Sequence, residues 1–261
     1  DVYKRQSLSG VGNTRFASNA TITSGGISLG TVNVAGLLTS DISGGVVNAG
    51  TLSSGTVSGG VTGITNAATV TTVSGGTVTV GGIATLGTVS GGVLNLNGAT
   101  SSVSILNGGS LNLGTTALTV ASGNTVGTIT GLNGSLVKSG AGTLTLGAVT
   151  SFGGTTTVNG GTLVGGVSGA LGSTSAIAVN GALLNVVDYN GAAALSVDAS
   201  GFATISGTGL SLAAVSNANT ASDSVYFTGV SGTTTLASLS GVGNTRFASN
   251  ATILGGGISL G

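Results

Sequence analysis

The 261-residue chain contains no cysteine, histidine, methionine, proline, tryptophan or glutamate. Without cysteine there are no disulfides, thiolate zinc sites or iron–sulfur clusters. Without histidine and glutamate, the usual general acids, bases and metal ligands are reduced to five aspartates. Charged residues are 4% of the chain and the formal net charge is zero, which excludes electrostatic binding to nucleic acid or to an anionic membrane. No apolar run reaches the length of a membrane-spanning helix, because Ser, Thr, Asn and Gly interrupt throughout. Three Tyr and five Phe are too few for the two aromatic girdles of a membrane β-barrel. The absence of proline points the other way. Proline removes a ladder hydrogen bond, so a chain that avoids it can pair with neighbours along its whole length.

What is abundant is glycine, 52 in all, far above the ordinary ~7%. Collagen is excluded because there is no Gly-X-Y period. Disorder fits badly, because Val, Ile and Leu are plentiful and charge is scarce. Residues 1–6, Asp-Val-Tyr-Lys-Arg-Gln, differ in composition from everything after them. They resemble a translated transposon-end adapter and are set aside as a scar.

Two repeats organise the rest. Ser7 to Gly30 and Ser238 to Gly261 agree at 22 of 24 positions; only Thr23 and Ser24 differ, becoming Leu254 and Gly255. The 231-residue offset divides the chain into one full unit, 7–237, and the start of the next, 238–261. The short repeat shows in Gly-Gly pairs beginning at Gly25, Gly44, Gly59, Gly75, Gly91 and Gly108, a nearly constant interval from Gly44 onward. Alternating runs follow them, such as Ile27-Ser28-Leu29, Thr77-Val78-Thr79-Val80 and Val93-Leu94-Asn95-Leu96. Alternation of period two marks strands with one buried face, and Gly-Gly supplies positive φ at the corners. One strand–corner unit cannot bury its own apolar row, but a stack of them can. The expected fold is therefore an all-β, parallel β-solenoid with coils of roughly 15–20 residues. At ~4.8 Å between rungs, a unit would extend ~60 Å. Asn at equivalent corners is expected to form amide ladders.

Residues 135–187 carry a more specific pattern. Leu136-Val137-Lys138 is followed by Gly140-Ala141-Gly142-Thr143-Leu144-Thr145-Leu146, then Phe152-Gly153-Gly154-Thr155-Thr156, then Val158-Asn159-Gly160-Gly161-Thr162-Leu163. In order and spacing this resembles the autotransporter-associated β-strand repeat of bacterial passenger domains. Gly147-Ala148-Val149 and Phe152 depart from the usual pattern without threatening a strand. The resemblance implies a right-handed β-helix exported to a Gram-negative cell surface and anchored through a C-terminal outer-membrane barrel. It also implies a role in passenger secretion and folding.

No catalytic, cofactor-binding or metal-binding constellation emerges. The third Gly of a Gly-x-Gly-x-x-Gly motif is Thr145, no Gly-Lys follows a loop, and no Asp lies in a calcium β-roll pattern. Asp188 and Asp198 could face each other as paired carboxylates, but solvated corners are expected. Lys138 could form an isopeptide crosslink with an Asn, but the Glu that such chemistry needs is missing; the resemblance implies an exposed Lys instead. Arg15-Phe16 and Arg246-Phe247 are read as copies of one exposed loop, with a cation–π ligand patch as the alternative. Residues 188–230, with Asp188-Tyr189 and Ser224-Val225-Tyr226-Phe227, are the stretch where a partner would be sought. There the aromatics are expected to pack an irregular coil. Asn19, Asn133 and Asn250 fit the glycosylation sequon by composition alone.

The expected function is a non-enzymatic stalk segment of a giant surface passenger. The alternative is an adhesin whose Ser/Thr/Asn faces meet glycans, host surfaces or sister filaments. Partners are then neighbouring repeat units or end-to-end copies, through ladder edges that almost no charge protects.

Overall fold

A computed structural model describes residues 3–28, 30–125, 127–229 and 232–260. Asp1 and Val2 of the set-aside hexapeptide and Leu29 of the first alternating run lie outside them. The described residues form 29 strands and no helix, and every strand pairing in them with a stated register is parallel. The chain is therefore all-β and a parallel β-solenoid. It divides into two compact units, one up to Leu118 and one from Thr119.

In the first unit the strand at Thr31–Val34 lies on Asn13–Phe16, and Val46–Ala49, Val61–Ile64, Thr77–Val80, Val93–Leu96 and Ser110–Asn112 follow in turn. The successive partners Val46↔Val61, Val61↔Thr77, Thr77↔Val93 and Val93↔Ser110 are separated by the Gly-Gly intervals. Each coil thus adds one strand per face, and period-two alternation turns every second side chain inward. The inward column runs Val32, Val47, Thr62, Val78, Leu94, Leu111, all 2% exposed or less. Thr62 interrupts it, and its hydroxyl is the one buried side-chain polar atom among the described residues without a hydrogen bond.

The glycine pairs do two different jobs. Gly92 has φ of 81°, the left-handed corner that a side chain resists. Gly91 has no such dihedral; a Cβ there would sit 2.5 Å from the Ser74 carbonyl oxygen of the coil below. Positive φ therefore explains only the second glycine here, and clearance between stacked backbones explains the first.

The second unit uses the same parallel stacking with larger coils. Leu144, Leu163, Leu184, Ala203, Val225 and Thr245 form one column and Leu136, Thr156, Ile177, Leu195, Val215, Leu239 and Ile258 another. In the second column the shortest step is Ile177↔Leu195 and the longest is Val215↔Leu239. The longest coils therefore exceed the expected length. Turns such as the one carrying Ala170 and Leu171 fold back and bury apolar side chains of their own, which accommodates the extra chain.

Candidate functional site

Residues 135–165 form one coil and the rung that covers it. Ser135–Lys138, Thr143–Leu146 and Ser151–Phe152 make the coil; Thr156–Val158 and Thr162–Gly165 lie on it. The register is Leu136↔Thr156, Lys138↔Val158, Thr143↔Thr162 and Leu146↔Gly165. Leu136, Leu144, Leu146, Phe152, Val158 and Leu163 are fully buried. Gly161, with φ of 61°, makes the corner where a Cβ would come 2.6 Å from the Ala141 carbonyl oxygen. The motif thus spans one closed coil and its contact with the next.

Lys138 corrects the sequence reading. It is fully buried, in an inward column with Val158, Val179, Val197 and Asn217. Its Nζ donates to the carbonyls of Ser139 at 2.8 Å, Gly140 at 2.8 Å and Gly160 at 2.9 Å. Three ammonium hydrogens meet three corner oxygens, two from its own coil and one from the next. Burial holds its pKa below the usual lysine value. Parity carried the missed signal: with Leu136 inward, the residue two positions on must also point inward.

The four acidic residues beyond the hexapeptide act as clamps between coils. Asp41 Oδ1 accepts from Thr56 N at 2.7 Å and Asp188 Oδ1 from Thr208 N at 3.0 Å. Asp198 Oδ1 accepts from the backbone of Gly181, Ser200 and Gly201 at 3.0, 3.0 and 2.7 Å. The Gly181 and Ser200 N–H groups hold its pKa below the usual aspartate value. Asp223 accepts from Arg246 Nη1 at 2.9 Å. Asp188 and Asp198 do sit at corners, half-exposed, but each serves the backbone of a different turn. Asp188 and Asp223 are the two non-glycine residues with positive φ among the described residues.

Of the aromatics singled out in the 188–230 stretch, Tyr189 and Phe227 pack inward as expected and Tyr226 does not. Tyr189 is buried, which pushes its pKa up. Phe227 is fully buried and stacks on Phe247 with centroids 5.0 Å apart. Tyr226 alternates outward and lies 4.8 Å below the Arg246 guanidinium carbon. The second Arg-Phe pair is therefore held on the preceding coil rather than free in a loop. Val230 lies outside the described residues.

A buried polar network went unread in the sequence. Asn217 Nδ2 shares its two hydrogens among Ser224 Oγ, Asn244 O and Thr245 Oγ1, at 3.0, 2.9 and 3.2 Å, and Asn219 Nδ2 donates to Gly201 O at 2.7 Å. Asn, Ser and Thr are so common here that composition provided no cue. Stacked amides occur at a corner as expected, Asn180 Nδ2 donating to Asn159 Oδ1 at 2.9 Å, and also within strands, where Asn48 Nδ2 donates to Asn33 Oδ1 at 2.9 Å.

The surface offers shallow grooves of mixed polar and apolar lining. One of about 460 Å³ is lined by Thr21, Thr39, Ser53, Thr69, Thr71 and Asp41. Another of about 340 Å³ lies between Arg15 and Asn33, Asn48 and Asn66. Among the described residues, no three acidic side chains gather where a metal ion could sit.

A family model, the passenger-associated-transport-repeat, matches residues 136–164. That is the Lys138 coil together with its covering rung. No curated protein and no solved structure matches the chain.

Proposed function

We propose that this chain is a structural segment of an exported passenger protein, a stalk built by adding coils, with no catalytic role of its own. The observation that carries the reading is the coincidence of the passenger-repeat match with a complete, closed coil whose charged residue is committed to backbone carbonyls. Its polar side chains hold neighbouring coils together: four carboxylates, the Asn rungs and Lys138 all bond across coils. Groups engaged in this way are not poised for substrate. Anchoring through an outer-membrane barrel in a Gram-negative envelope belongs to the same proposal. So does nucleation of folding at one end during export, which nearest-neighbour stacking permits.

The test is a series with one, two and three 231-residue units fused to a translocating barrel. Electron microscopy should show a constant length increment per unit at the cell surface, and Lys138 variants should reduce the exported fraction. Length that does not grow with unit number refutes the stalk.

A second reading, an adhesin, draws on the hydroxyl-lined groove at Asp41. A glycan array probed with this chain separates the two: selective binding lost in Asp41→Ala favours the adhesin, and a blank array favours the stalk.

A further inference from the structure

The 24-residue duplicate gives the same sequence two environments. In the first copy, the coil that follows covers it. Asn13, Thr14, Arg15 and Phe16 pair with Thr31, Val32, Asn33 and Val34; Ala20 and Thr21 pair with Leu38 and Thr39; Ile27 bridges Ile42. Thr31 N donates to Gly12 O at 3.2 Å, Leu37 N to Asn19 Oδ1 at 2.8 Å and Ser43 N to Ile27 O at 2.8 Å. Under this cover Phe16, Ala20, Ile22 and Ile27 are 6%, 1%, 5% and 0% exposed.

In the second copy the identical residues are Phe247, Ala251, Ile253 and Ile258. Phe247 and Ile253 are half-exposed, Ala251 is exposed and Ile258 is 61% exposed. The coil beneath is in place: Thr245 and Phe247 pair with Val225 and Phe227, and Arg246 is held by Asp223 and Tyr226. Register repeats too: Leu8↔Ile27 corresponds to Leu239↔Ile258, and the place that Thr234 holds on Ala251 is held on Ala20 by Tyr3 of the hexapeptide set aside above. The two altered positions fall between these blocks. Leu254-Gly255, with Gly255 at φ 58°, splits the strand Ala20–Ile27 into Ala251–Ile253 and Ile258–Leu260 without moving either register.

We infer that residues 242–258 are a receiving edge for one occupant: a coil with the sequence of Thr31 to Ile42, supplied in cis by the next repeat unit. The inference rests on the tandem-array reading above. One copy shows the contacts above the duplicate and the other the contacts below it, so together they describe a complete seam. In it Thr245, Arg246 and Phe247 take Val32, Asn33 and Val34 as partners. Ala251 takes Leu38, and Ile258 takes Ile42. Arg246 is then enclosed by Asp223 and Tyr226 on one side and by the Asn33–Asn48 amide rung on the other. The chemistry of the occupant is an alternating Thr-Val-Asn-Val strand followed by two inward aliphatic residues, not a charged or glycan ligand.

The absence of native cysteine makes single-thiol labelling unambiguous. Ile258→Cys is compared in the 261-residue chain and in a chain where Gly261 is continued by a copy of residues 31–118, with Ile27→Cys as the protected reference. The thiol at 258 should label readily in the shorter chain and slow about 100-fold or more in the longer one, to the rate at 27. Amide exchange at Phe247, which needs no substitution, should slow in parallel, so a variant that folds poorly does not decide the outcome. Labelling at 258 that stays fast while the added coils show protected amides overturns the seam. Protection that rises with concentration in the shorter chain assigns the edge to a separate molecule and also overturns it. Both readouts are independent of particle length and export, so the stalk reading can fail while the seam stands, or the reverse.

Discussion

Replacing Lys138 with methionine removes the ammonium and keeps most of the stem. The stem lies in the column of Val158 and Val179, so an unbranched apolar side chain fills it with little packing loss, under about 1.5 kcal/mol. The carbonyls of Ser139, Gly140 and Gly160 lose their donor. A hydrogen bond to a charged group contributes about 1.5–3 kcal/mol. Three would sum to more than about 4 kcal/mol, but burying an ammonium without an anion costs several kcal/mol in the opposite direction. A net loss of about 2–4 kcal/mol is expected for Lys138→Met, and more for Lys138→Ala, which adds a cavity. Urea unfolding followed by circular dichroism gives the magnitude. Amide exchange at Asn159, whose N–H donates to the Lys138 carbonyl, gives the location. The pH dependence has a definite sign. Burial puts the folded pKa below that of the unfolded chain, so between the two values the unfolded state binds more protons. The stability gap between the parent and the Met variant should therefore widen as pH rises toward 10.5. A Met variant within about 0.5 kcal/mol of the parent, with Asn159 equally protected, would show that desolvation cancels the cage and refute the reasoning.

Other expectations test the remaining parts of the structure. Thr62→Val fills the same volume without an unpaired hydroxyl and should stabilise by about 1–2 kcal/mol in thermal or urea unfolding; a loss would mean the hydroxyl has a partner in solution. Gly92→Ala places a side chain at φ of 81° with its Cβ 2.7 Å from the Gly76 carbonyl oxygen, and should cost about 2 kcal/mol or more. Gly91→Ala should also destabilise, although its dihedral is ordinary, because of the Ser74 carbonyl; a neutral result would remove clearance as the reason for that glycine. Asp198→Asn retains an acceptor but not the charge. The parent's advantage should be present above the ordinary aspartate pKa of ~3.9 and vanish as pH falls through the lower folded value, read from acid unfolding curves of both proteins.

The class of fold was legible in the amino acids alone. Period-two alternation says that one row of side chains is buried, and the Gly-Gly interval matches the ladder register of the first unit directly: Val61↔Thr77 and Thr77↔Val93 repeat the spacing of Gly59, Gly75 and Gly91. The passenger-repeat motif could be read because its blocks are corners and strands in order. Stacking decided what periodicity cannot express. Whether a glycine serves dihedral freedom or clearance depends on which carbonyl lies beneath it, as at Gly91 and Gly92. Parity turns Lys138 inward, but that its ammonium meets a carbonyl of the next coil there depends on where the Gly160 corner falls. The longer coils of the second unit depend on turns whose side chains fold inward, Ala170 and Leu171 in the step Thr156↔Ile177 and the polar Asn217, Asn219 and Ser224 in the step Val215↔Leu239, and no local pattern announces those. Parity along a strand is a local property of the backbone. The partner across a rung, as Asn33 is to Asn48, lies a whole coil away along the chain, and only the folded stack brings it within hydrogen-bonding distance.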